Sequence, residues 1–111
     1  MAKEIVKSIG RDQREEIASL IKRRRLQLLV HSAIYYHFNE SIISDNQWGI
    51  WAKELVCLQN KYPEISGQVV YSDAFKSFNV STGYDLPFTD PPIYWTAMWI
   101  LKLHKERMKI Q

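Results

Sequence analysis

Residues 28–65 read LLVHSAIYYHFNESIISDNQWGIWAKELVCLQNKYPEI, and this stretch decides the fold. Leu28, Leu29, Val30, Ala33 and Ile34 fill a broad apolar face, as the closing half of a packed helix requires. Ser44-Asp45-Asn46-Gln47 fits the S-x-x-Q capping box, in which Ser44 and Gln47 satisfy each other's loose backbone donors. A second helix follows, because Trp48, Trp51, Ala52, Leu55 and Leu58 recur at spacings of three and four. Tyr62-Pro63 ends it, since proline disfavours helix at the residue before it. Asn39 to Ile43 is a short connection, so the two helices are expected to pack as an antiparallel pair.

Towards the N-terminus the first helix extends back to about Arg11 and forward to about Phe38. Asp12 is its expected N-cap, and Glu15 and Glu16 suit the helix dipole in the first turn. Lys22, Arg23, Arg24 and Arg25 interrupt the apolar face begun by Ile17, Leu20 and Ile21, so this half is expected to be exposed on most sides. Towards the C-terminus, residues 66–90 lack helical periodicity and are punctuated by Gly67, Gly83 and Pro87, with Val69-Val70-Tyr71 as a short extended piece. Asp90-Pro91-Pro92 opens a third helix, because proline is tolerated in the first turn. From Ile93 to Leu103 it is apolar on nearly every side. It is therefore expected to be the central buried element, with Trp48, Trp51, Trp95 and Trp99 mostly inside. The expected fold is mainly α: an antiparallel helical hairpin, a third buried helix and an irregular arm at about 66–90, in one domain spanning 1–111.

Composition agrees. With 111 residues, 46% hydrophobic and 24% charged, the chain is neither disordered nor long enough for a multidomain catalyst. Four Trp, six Tyr and four Phe supply a large burial area for one small core. The single cysteine, Cys57, excludes an internal disulfide and a cysteine-based zinc site. The opening MAKEIVKSIGRDQREE carries no signal-like apolar stretch, and IYWTAMWIL at 93–101 is far below the ~20 residues of a membrane span. The expected setting is cytoplasmic, with no membrane.

The net charge of +3 hides a pattern. Residues 1–25 hold eight basic and four acidic side chains, residues 26–100 three and seven, and the tail from Leu101 four and one. Basic ends read either as solvated helix surface or as an electrostatic footprint for nucleic acid, with Lys22, Arg23, Arg24 and Arg25 as candidate phosphate contacts. Four adjacent helical cations point in all directions, so a sequence-specific reader is not expected of them.

The chain has no P-loop, G-x-G-x-x-G, G-x-S-x-G or H-E-x-x-H, and its three histidines lack metal-cluster spacing. One constellation stands out. Tyr35-Tyr36-His37 closes the first helix, while Asp45 and Trp48 open the second. At the mouth of a hairpin they place two rings, a carboxylate and an imidazole together. That set suits a flat cation with hydrogen-bonding edges, and an oxidised nicotinamide ring is such a ligand. The same residues also read as helix-packing aromatics, a carboxylate at a helix N-terminus and a surface histidine.

Tyr36-His37, Ile43-Ser44-Asp45-Asn46-Gln47-Trp48-Gly49, Glu54-Leu55, Leu58 and Tyr62-Pro63-Glu64 together resemble the N-terminal Ia subdomain of bacterial NAD-dependent DNA ligases. The ligase-like part covers about 12–65, with 66–111 as an extension that has no counterpart there. Small stand-alone proteins of this kind occur in Gram-positive bacteria and their phages. The resemblance implies that Tyr36 and Trp48 sandwich nicotinamide, that His37 is a neighbouring polar contact and that Asp45 is the first carboxylate. Trp48 stands where the family has tyrosine, Gly49 where it has a second aspartate, and the loop from His37 to Asp45 is about one residue shorter.

None of the nine lysines begins a K-x-D-G adenylation motif, so an enzyme is not expected and no cofactor is required. The expected function is a small binding module for NMN, NAD or a related dinucleotide. The alternative is an interaction or phage accessory protein that docks on a nucleic-acid enzyme and keeps the helical clamp as scaffold. A third is nucleic-acid binding through the basic run and tail.

Overall fold

A computed structural model describes residues 10–80 and 83–110; Lys3, Lys7 and most of the opening stretch read for a signal lie outside them. Within the described residues the helices are α1 (Arg11–Tyr36), α2 (Asp45–Lys61), α3 (Pro63–Gln68) and α4 (Pro91–Ile110). α2 starts as its capping sequence dictates: Ser44 is extended, and its Oγ accepts from the Gln47 N–H at 3.0 Å. Tyr62 closes α2, and Pro63 at once opens α3 from the first helical position, where its missing N–H costs nothing. The sequence pattern shows the break and not the restart. At the start of α1 the N-cap is Gly10 with no side-chain cap, so Asp12 sits in the first turn instead. α1 ends at Tyr36; Asn39, in the left-handed region at φ 55°, turns the chain, and the Glu40 N–H donates to the Ile34 carbonyl at 3.0 Å.

The hairpin is antiparallel, as its cross-contacts show. His31 lies against Trp51, Arg24 binds Glu54 and Arg25 binds Gln59, so numbers rise along α2 as they fall along α1. The buried residues form one core, with Leu28, Leu29, Ala33 and Ile34 of α1 facing Ala52 and Leu55 of α2.

The mainly α architecture is as the sequence predicts, but the centre is α1. This helix touches α2, α3 and α4, whereas α2 and α4 do not touch each other. With one neighbour, α4 has one face to bury: Ile93, Ala97 and Leu101, each a turn apart, are buried. Trp95 is 61% exposed and Trp99 58%, which corrects the expectation that both lie inside. Trp48 and Trp51 are half-buried against the core. Hydrophobicity all round a helix states what could be buried; the number of neighbours decides what is.

The described residues of the arm after α3 are mostly turns; Val69 is extended, but Val70 lies in a turn and Tyr71 takes a positive φ, so the expected three-residue extended piece does not form. The anchor of the arm is Arg25, which is 1% exposed and so is no nucleic-acid contact. Its guanidinium donates to Gln59 Oε1, to the Ser66 hydroxyl and carbonyl, and to the carbonyls of Val69 and Val70, at 2.6–3.2 Å. Gln59 in turn donates to the Phe75 carbonyl at 3.2 Å, and the Phe75 ring lies under the guanidinium, 5.8 Å away. Burial pulls the Arg25 pKa down from its usual value, yet an arginine stays charged at any physiological pH. Arg25 thus satisfies the open carbonyl end of α3 with a fork of fixed geometry.

Tyr71 takes the left-handed region at φ 67°, and its hydroxyl donates to the Asp90 carboxylate just before α4. Burial, then the hydrogen bond and charge of Asp90, push the Tyr71 phenol up to about 12. A phenol raised in the folded state keeps its proton while the unfolded chain loses it. Stability is therefore complete below about pH 10 and falls as pH rises towards about 12. Denaturation followed from pH 9 to 12 should show this loss, and Tyr71→Phe should flatten it; an unchanged alkaline slope in the variant would assign the loss elsewhere. Among the described residues no helix is long and apolar enough to cross a membrane.

Candidate functional site

A cavity of about 350 Å³ opens at the turn between α1 and α2. Tyr36 reaches it from the last turn of α1, Asp45 and Trp48 from the first turn of α2, and Gly49 follows Trp48 along its wall. The loop 41–44 forms one rim, and Val80 and Gly83 bring the arm over the other side. Three of the four residues singled out for the clamp therefore share one cavity.

His37 does not. One residue beyond Tyr36 the helix has turned by about 100°. The His37 ring packs edge-on against Phe38 at 4.8 Å and against Tyr94 of α4 at 5.0 Å. The basic run also divides. Lys22 and Arg23 are exposed, while Arg24 is held by Glu54 at 3.1 Å and Gln27 at 2.8 Å and leans on Trp51. Arg25 is the buried anchor of the arm.

The arm fixes both rings of the site. Tyr36 stacks on Phe88, with centroids 5.6 Å apart and planes at 19°, and meets Tyr84 edge-on at 5.4 Å. Trp48 meets Phe78 at 6.1 Å in an edge geometry. Offset and edge contacts of this kind hold aromatic planes at defined angles. The carboxylate of Asp45 stands at the α2 N-terminus, exposed to solvent.

Sequence reasoning misses three members of the site. Ser32 is 2% exposed and lies one turn before Tyr36, on the same face of α1. Its Oγ and the Nδ1 of His31 are buried and have no hydrogen-bond partner among the described residues. Desolvation lowers the His31 pKa, so its imidazole is neutral at pH 7. The available signal is a serine inside an otherwise apolar stripe four residues before a candidate ring. Gly83, the third, gives no signal beyond being glycine: its backbone presses on Ser32, and a Cβ there would overlap the Ser32 Oγ and stand 3.0 Å from Trp48 Cζ2. Gly83→Ala is expected to cost about 1–3 kcal/mol by overpacking. Combining it with Ser32→Ala should recover much of that loss, and strictly additive losses in the denaturation cycle would contradict the packing assignment.

The cavity wall thus carries the aromatic rings of Tyr35, Tyr36 and Trp48, a carboxylate, a neutral imidazole and a buried hydroxyl. Among the described residues no group of His, Cys, Asp and Glu is placed to hold a metal ion. Comparison with protein-family models, with curated proteins and with solved structures finds no match to this chain.

Proposed function

We propose that this protein is a small non-catalytic binding module that holds a nicotinamide nucleotide, NMN or the NMN half of NAD, at the α1–α2 turn. The observation that carries it is the convergence of Tyr36, Asp45 and Trp48 on one cavity. A volume of about 350 Å³ lies within the ~300–1,000 Å³ of small-molecule sites. The rings offer π faces to a planar cation, and Asp45 supplies the opposite charge. Ser32 Oγ and His31 Nδ1 are buried polar groups without partners among the described residues, just behind the cavity wall, where they add polarity under the rings. The resemblance to the Ia subdomain of NAD-dependent ligases names the same rings and the same carboxylate for the same ligand. His37 drops out of the clamp.

Gly49 sets the strength. Without the second carboxylate the site forgoes a hydrogen bond to a charged group, worth ~1.5–3 kcal/mol. The expected dissociation constant is high micromolar to millimolar, on the order of −4 to −5.5 kcal/mol. Titration of the labelled chain with NMN, followed by NMR, should move resonances of Tyr36 and Trp48. Tyr36→Ala should abolish the shifts, and Asp45→Asn should weaken them with the fold intact. Space for a restored carboxylate exists, because a Cβ on Gly49 meets nothing within 4 Å. Gly49→Asp should therefore tighten binding. Saturating NMN that moves nothing near either ring would leave the hairpin as a scaffold for docking on another protein.

A further inference from the structure

The face of α4 turned away from α1 carries Trp95 and Trp99 one helical turn apart, both more than half exposed, with Met98 and Leu103 exposed beside them. Monomer surfaces seldom leave two adjacent indoles to water. Cations border this strip on two sides. The Lys102 Nζ stands 5.9 Å from the centroid of Trp99. On the other flank, Thr96 and Ile100 share a groove of about 380 Å³ with the exposed Lys22 and Arg23 of α1. At about 100° per residue, Trp99 lies between that groove and Lys102 around the helix. None of these ring or cation side chains belongs to the NMN cavity.

We propose that this face binds single-stranded nucleic acid without sequence preference. Bases stack on Trp95 and Trp99, and phosphates lie along Lys22, Arg23 and Lys102. Every base has a π face, so indoles one turn apart accept any sequence, and flanking cations follow the backbone. The other occupants of an apolar strip fit less well. A second copy would set Lys22, Arg23 and Lys102 against the same cations of its partner, relieved on α4 by Glu106 alone, at an electrostatic cost. A bilayer would have to take in Lys102 and Glu106, which at seven and eleven residues past Trp95 return to within about 20° of it around the helix.

The test uses the full chain and fluorescently labelled twelve-residue dT and rU oligonucleotides at low salt, read by anisotropy. Binding of both is expected, weaker for a duplex of equal length. Trp95→Ala and Trp99→Ala should each weaken it by ~5- to 150-fold, the range of one base–aromatic stack. Lys22→Ala and Arg23→Ala should each lower the slope of log affinity against log salt, by about 0.7 per lost phosphate contact. All four positions are exposed, so an unchanged far-ultraviolet spectrum and melting point should accompany each loss. Three results would overturn the proposal: no binding at low salt, binding indifferent to both tryptophans, or equal affinity for duplex. A tryptophan-dependent blue shift with anionic phosphatidylserine vesicles, and none with oligonucleotides, would assign the face to a membrane surface instead.

Discussion

Arg25→Met should destabilise the protein by about 3–5 kcal/mol, a large part of the ~5–15 kcal/mol that holds a small domain together. Three backbone carbonyls, those of Ser66, Val69 and Val70, accept from this one guanidinium. The Ser66 bond is buried and the Val69 and Val70 bonds are part-buried, so the full ~1–3 kcal/mol of a carbonyl left without a donor applies at Ser66 and less at the other two. The Ser66 hydroxyl and Gln59 lose their partner as well, and the relief of burying a charge offsets only part of the total. Methionine keeps the unbranched apolar stem of arginine, stops short of the guanidinium and removes all five donors. Lysine at 25 should rescue little, because its three donors radiate from one point and cannot reproduce a planar fork. Urea denaturation monitored by far-ultraviolet signal measures the difference. A midpoint unchanged in Arg25→Met would mean that water enters and replaces the guanidinium.

The second large effect contrasts two aromatic residues, Phe75 in the irregular arm and Trp99 in α4. Phe75 lies in a segment of turns with no helical pattern, yet it is fully buried under Arg25 and beside Phe78. Phe75→Ala should cost about 3–5 kcal/mol. Trp99, in the most apolar helix of the chain, should cost no more than about 1 kcal/mol when replaced by alanine, since most of its ring is already in water. Paired denaturation curves decide the matter: equal losses, or a larger loss at Trp99, would require α4 to be covered by something the monomer does not supply.

These two residues show where the sequence is legible. The hairpin could be read because its signals are local: the Ser44 cap, the stop at Tyr62-Pro63 and the apolar spacing of α2 each act within a few residues. That Tyr36, Asp45 and Trp48 share one cavity could be read for the same reason, since they flank one short loop. The role of Arg25 could not, because its partners lie 34 to 45 residues away and nothing in a run of four cations marks the one that turns inward. His37 misleads through rotation, as adjacent helical positions face different neighbours. Ser32 and Gly83 meet only because the arm folds back over α1, a contact between segments about fifty residues apart that no local pattern records.

That α2 and α4 both lean on α1 and never on each other has a consequence for how the molecule opens. Losing α4 would strip one side of α1 and leave the hairpin, α3 and the Arg25 hydrogen bonds in place, whereas losing α2 would remove the support of everything else. Native-state hydrogen exchange should accordingly resolve two cooperative units, with amides of α4 exchanging through a partial opening and those around Leu28, Leu29 and Leu55 only through global unfolding.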